Sequence, residues 1–391
     1  MNLTARSWPL ALLVAVGCTE GGGSPDPGPD RSALLTNLAD NVIVPALSEL
    51  VSATGALDQA TKAYADAVGT ATVAPAVELQ AAQDAWRRAM VAAQRGDVMQ
   101  VGPAAELGTR LGAAGIRDEI YSWPGRKACA VDLGIVSGKY ADPGHFDAEL
   151  VNTYGLDALE YLLFHHGANN ACQSSISINM DGSWAGLDAA ARLRRRADYA
   201  AVIATRVAVD ARRLGDAWTA GFAQRLAAAG DGDPFPTGQA ALDDLFAAIF
   251  YLELKTKDLK LGVPSGADMR CAQDTCPERL ESPWAAHSKE NVLANLEGFR
   301  AMFSGGDGEG FDDLLRMVNA GDLADEMDLA ISAAISAVTA VDGSFVDALQ
   351  RDPEAVRAAY RANKILADHL KSRFVTVLNL RVPDEGAADN D

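Results

Sequence analysis

From residue 185 to residue 229 the chain holds a helical pattern for about 45 residues without a proline, interrupted only by Gly186, Gly215 and Gly221. A helix of that length belongs to an elongated bundle rather than to a compact globin-like core. Alternating β-branched runs are almost absent, alanine and leucine abound, and aromatic residues make up only 6%. Such a mix favours helices throughout. The expected fold class is all-α: two tandem helical-bundle domains built from long up-and-down helices.

Residues 31 to 68 repeat Leu34, Leu35, Leu38, Val42, Leu47 and Leu50 at three- and four-residue steps, and Pro45 is expected to kink or split that helix. A second helix is expected from about residue 75 to 94. Residues 96 to 143 are punctuated by Gly102-Pro103, Trp123-Pro124-Gly125 and Asp142-Pro143-Gly144, and read as short helices and ordered loops. A helix over residues 146–165 should be capped by Gly167. Arg192, Arg194, Arg195 and Arg196 read as a solvated face that pairs with nearby carboxylates. The clearest break is Gly230-Asp231-Gly232-Asp233-Pro234, which sets the predicted organisation: one bundle over 31–230 and a second over 231–382. The second should hold helices beginning near residues 239, 288, 311, 323 and 353. The acidic stretch 383–391 reads as a disordered tail.

The first 30 residues carry their own message. A charged start is followed by an apolar run from Trp8 to Val16, far shorter than the roughly 20 residues that span a bilayer. That is the pattern of a secretory signal. It ends in Ala15-Val16-Gly17-Cys18, which reads as a bacterial lipobox, with cleavage after residue 17 and a diacylglycerol on the Cys18 thiol. Residues 18–30, rich in Gly and Pro, read as a flexible tether. The mature chain is thus expected in the cell envelope, lipid-anchored and facing the periplasm. Thr19 stands where an aspartate is associated with inner-membrane retention, which tilts the expectation to the outer membrane.

Removing residues 1–17 leaves 391 − 17 = 374 residues, enough for one large or two medium domains. The net charge of −19 excludes nucleic acid as a partner, because phosphate binding needs clustered Lys and Arg. Apart from Cys18 there are four cysteines: Cys129, Cys172, Cys271 and Cys276. An even number in an oxidising compartment points to disulfides. The short Cys271–Cys276 spacing could close a local loop and leave Cys129 to Cys172, although three pairings are formally open. A four-thiolate zinc site fits less well, since no CxxC pair is present.

The segment that carries most chemistry is Gly155-Leu156-Asp157-Ala158-Leu159-Glu160. Asp157 and Glu160 lie three residues apart, about 60° apart around a helix and therefore on one face. Paired carboxylates on an apolar helix suit a metal site or general acid–base work, and equally suit internal hydrogen bonds to Arg or Tyr. His165 is about 140° around from Glu160 and faces elsewhere. Nucleophile schemes find no support: there is no GxSxG, and the cysteines are accounted for.

The order of several blocks resembles the imelysin family of bacterial envelope proteins. They are NVIVPALSEL with LDQATKAYADAV, then AWRRAMVAAQ, VGPA and IRDEIYSWPGRKACAVD, then GLDALEYLLF, and finally LELKTKDLKLGVP and ERLESPWAAHSKENVLANLEGFRAMFSG. The resemblance spans about residues 31 to 380. In that family a GxHxxE motif is read as metal-binding and possibly peptidase. Gly155 and Glu160 match it here, but Asp157 occupies the histidine position. The resemblance also places Glu281, His287 and Ser288 near the motif, so that Asp157, Glu160 and His287 form the expected metal set, with Glu281 and Ser288 as accessory groups. Ser288 reads independently as a helix N-cap.

A zinc hydrolase normally needs three protein ligands, usually with imidazole, and an open position for water. Oxygen ligands alone suit iron, calcium or manganese better than zinc. Three readings follow. The first is a metal-binding protein, iron favoured over zinc, working beside other iron-uptake envelope proteins, as the resemblance implies. The second is a metallopeptidase, and the third a structural or partner-binding lipoprotein with a decayed site. Asp157 at the histidine position favours the first and third.

Overall fold

Leu34, Leu38, Ile43, Leu47, Leu50, Leu57, Tyr64 and Val68 fall on one face and are all buried, which is why residues 32–70 wind into a single long helix, α1 (Ser32–Thr70). Pro45 neither splits nor ends it. The turns just before the proline, Leu38–Ile43, widen to π geometry and absorb both the missing N–H and the ring's clash with the preceding turn. By length and composition α1 could cross a membrane, but half of its most apolar window is buried against other helices. The computed structural model describes residues 31–383 apart from 71, 72, 74, 126, 127, 143, 148 and 231. The signal, Cys18, the tether and the acidic tail beyond Pro383 lie outside the described residues.

Among the described residues there is no strand. Helices α2 (Ala76–Asp97) and α4 (Ala189–Ala217) pack along α1, with the short α3 (Leu156–Phe164) laid against both. Beyond residue 230 come α5 (Gly238–Ile249), a π-helix over Leu252–Gly262, α6 (Ser288–Ser304), α7 (Gly321–Thr339) and α8 (Pro353–His369). The π-helix, α6, α7 and α8 pack on one another, and α6 also lies along α2. Helices from both sides of the Gly230–Pro234 break therefore share one compact unit, Arg31–Asp391. A further short helix, Phe345–Arg351, joins α7 to α8.

The α2–α6 seam is tight because Gly298 has no side chain. A Cβ there would sit 2.5 Å from the Arg95 carbonyl oxygen and 2.8 Å from Val98 Cγ2, so the two helices touch backbone to backbone. Gly298→Ala is expected to force them apart and cost about 1–3 kcal/mol, measured as a fall in the urea midpoint. Arg95 bridges Glu49 of α1 and Glu297 of α6 at 2.8 and 2.9 Å. Both acids are well exposed and Arg95 is partly so, so this bridge adds little beside the packing.

Further expectations need correction. The run 185–229 is not one helix: α4 starts at Ala189 and ends at Ala217, and Gly221 beyond it is non-helical at a φ of 137°. The helix carrying the carboxylate pair is not 146–165: it starts only at Leu156, because Gly155 takes a φ of +93°, and it ends at an extended His165 rather than at Gly167. The arginines of α4 form a solvated, carboxylate-paired face only in part: Arg194 is exposed, but Arg196 is buried, 3.6 Å from Asp132. Arg195 donates to the Ile135 and Val136 carbonyls, Arg194 to Gly69, and Arg196 to His165, so they satisfy carbonyls at the ends of neighbouring helices.

Candidate functional site

Gly155 is required at its position. A Cβ at that positive φ would lie 3.0 Å from Asp157 Oδ1 and 3.0 Å from the Ile120 carbonyl oxygen. Trp86 of α2 donates its indole N–H to the Leu156 carbonyl at 2.8 Å and fixes where α3 begins. The helix then carries both acids inward, leaving Asp157 3% and Glu160 1% exposed. Asp157 Oδ2 accepts from the Ser122 hydroxyl at 3.1 Å. Glu160 Oε1 accepts the backbone N–H groups of Trp284 and Ala285 at 2.9 and 3.0 Å.

Those amides belong to the tight turn 281–288, in which Ser282 and Ala286 adopt left-handed φ values of 48° and 52°. Neither is glycine, so the conformation persists only where the surroundings impose it. Glu160 imposes it from α3, and Asn291 donates to Ser282 Oγ from α6. Ser288 is not an N-cap: His287 holds that position, and the Ser288 hydroxyl donates to the Glu281 carbonyl instead. The turn doubles back so sharply that this carbonyl needs a local donor.

His287 packs edge-on against Trp86, with ring centroids 5.7 Å apart, and its Nδ1 lies 3.7 Å from Glu290 Oε2. Burial pulls its pKa down, opposed by Glu290 and helped by Arg87. Glu281 turns the other way, into a buried polar centre that sequence reasoning missed. Its Oε1 accepts from Tyr121 OH at 2.5 Å and Gln94 Nε2 at 3.0 Å, and lies 3.2 Å from Lys260 Nζ. Lys260 donates to Asn295 Oδ1 at 2.7 Å and stands over the rings of Tyr251 and Trp123 at 5.1 and 5.4 Å. Asp97 completes the centre, paired with Arg117 at 2.8 Å and accepting from Tyr251 OH at 2.9 Å. Burial above all, then the Glu281 charge, keeps Tyr121 protonated.

The structure thus brings Asp157, Glu160 and the 281–288 turn to one joint between the two helical halves, but not into a ligand sphere. Among the described residues no group of three or more His, Cys, Asp and Glu side chains is placed to hold a metal ion. Glu160 is directed at backbone amides, His287 at Trp86 and Glu290, and Glu281 at hydrogen-bond donors. The disulfides Cys129–Cys172 and Cys271–Cys276 are both present. The first closes a loop that contains all of α3.

The fold and this joint define an all-α protein whose paired-acid helix clamps a turn from the opposite half. The family model described as Imelysin matches residues 43–371, and the chain belongs to the imelysin family. An imelysin-like protein from Psychrobacter arcticum 273-4 has a similar fold, with TM-score 0.62, 16% identity, and 90% of this chain and 96% of that chain covered. So does an iron-regulated protein A-like precursor from Parabacteroides distasonis ATCC 8503, with TM-score 0.67, 17% identity, and coverage of 90% and 95%. No curated protein matches the sequence.

Proposed function

We propose that this chain is a lipid-anchored imelysin-family protein of the bacterial cell envelope that acts by binding rather than by hydrolysis. The observation that carries this reading is the engagement of Glu160. As the only candidate base in the motif, it is turned into the interior, 1% exposed, with its Oε1 accepting two backbone N–H groups that hold a turn rather than a water. Asp157 in the histidine position removes the imidazole that a hydrolytic zinc site normally uses. The lipobox at Cys18 and the two disulfides support residence in an oxidising compartment.

Iron-linked acquisition is the second reading, favoured by the likeness to the iron-regulated protein A-like precursor. In this chain it would work through a partner or a surface-held iron complex rather than through Asp157, Glu160 and His287. The purified protein is expected to leave unstructured peptides uncleaved with or without added zinc. Calorimetric titration with ferric citrate, manganese and zinc should give the same result for the native chain and for the Asp157→Ala/Glu160→Ala variant, provided the variant folds. Peptide cleavage abolished by Glu160→Gln, or saturable one-to-one ion binding lost in the double variant, would overturn the reading.

A further inference from the structure

The buried centre beside the motif carries its own charge balance. Its anions are Asp97 and Glu281, at 1% exposure each, and its buried or nearly buried cations are Lys260 and Arg117. Each cation faces one anion: Arg117 meets Asp97 through two nitrogens at 2.8 and 3.1 Å, and Lys260 meets Glu281 at 3.2 Å. Two neutral groups stitch the pairs together. Gln94 donates to Glu281 and accepts from Lys260, and Tyr251 donates to Asp97 beneath the Lys260 ammonium.

A metal ion at this joint would need lone pairs aimed at one point. The groups around Glu281 Oε1 aim hydrogens at it instead: a phenol, an amide and an ammonium. An added divalent or trivalent ion would also bring two or three uncompensated charges into a region of low dielectric, close to an existing ammonium. The donor set around Glu281 therefore does not fit a metal ion.

We infer that Lys260 supplies the positive charge of this centre, its ammonium standing where a cation would otherwise be needed, so that the joint is complete without a metal. Glu281 Oε2, which is buried and makes no hydrogen bond, is the atom through which a cation would enter if the ammonium were removed. The Lys260 pKa is lowered, burial outweighing the upward push of the Glu281 and Asp97 charges, so it is the contacts with Glu281, Gln94 and Asn295 that place the ammonium here. The inference concerns charge within the fold, and peptide cleavage by the chain would overturn the functional reading without bearing on it.

The test uses the full chain and reads thermal unfolding in EDTA, and in ferric citrate, manganese or zinc. The native midpoint is expected to move by less than about 1 °C in any of them, whereas Lys260→Met lowers it by roughly 5–10 °C because Glu281 is left charged and buried. Removing both charges, in Lys260→Met/Glu281→Gln, should recover at least half of that fall. This recovery separates charge from lost packing, and it can be read by hydrogen exchange at low temperature if the single variant unfolds too readily. Saturable stabilisation of the native chain by any of the ions would overturn the inference. So would a double variant no more stable than Lys260→Met.

Discussion

Replacing Glu160 with alanine should destabilise the chain by about 3–5 kcal/mol, more than any other single change at the motif. Two N–H groups, of Trp284 and Ala285, lose a charged acceptor at once. The turn they belong to carries two left-handed non-glycine residues, and without the clamp α3 meets it through packing such as Tyr161 against Trp284, which does not fix the backbone amides. Glu160→Gln keeps an oxygen at the same reach and should cost less than half as much. Denaturant titration of the two variants gives the comparison directly. Equal losses would mean that the carboxylate acts through packing alone.

Removing the Cys129–Cys172 disulfide should be almost as costly, at about 4 kcal/mol, because it frees a loop spanning 43 residues in the unfolded chain. The Cys271–Cys276 bridge spans only 5, and its loss should cost about 2 kcal/mol on the same entropic account. The larger loop contains α3, so the Cys129→Ser/Cys172→Ser protein should lose protection in the motif helix and at Asp132 before it unfolds globally. Asp132 ties the bridge to that helix by accepting from Tyr161 OH and Ala171 N–H at 2.8 and 2.7 Å. Hydrogen exchange resolved by peptide would show this, and uniform loss across α3 and α7 would contradict it.

Much of the architecture was legible in the sequence because long helices advertise themselves through period and composition. The leucine ladder of α1 needed no tertiary knowledge, and the proline-free run gave α4 but not the break at Gly221. The resemblance rested on blocks spread along the chain, and the family match over residues 43–371 agrees with it. The π segments were not legible. A widened turn reflects how neighbouring helices seat a stretch such as Leu252–Gly262, and its sequence, LELKTKDLKLG, reads as an ordinary charged helix.

The same stretch hid the polar centre. Lysines and acids interleaved with leucines look like a solvated face, yet Lys257 and Lys260 are 1% exposed at the side chain and each lies against a buried carboxylate. Lys257 pairs with Glu253 four residues away, as a surface helix would, whereas Lys260 pairs with the more distant Glu281, and one sequence alone does not reveal that pair. The joint between Glu160 and the 281–288 turn was expected in outline from the resemblance. Its chemistry was not, since spacing cannot say whether a carboxylate meets an ion or a pair of amides.

The clamp also imposes an order on biosynthesis. Glu160 and its amide partners are separated by 124 and 125 residues, so α3 leaves the ribosome long before the turn it must hold. Until the second half arrives, a charged carboxylate sits at the edge of an unfinished apolar surface. That contact is late and non-local, which ties the close of folding to delivery of the chain's last third. Synthesis that stalls midway therefore leaves behind an open half-molecule, readily told apart from the finished protein by proteases.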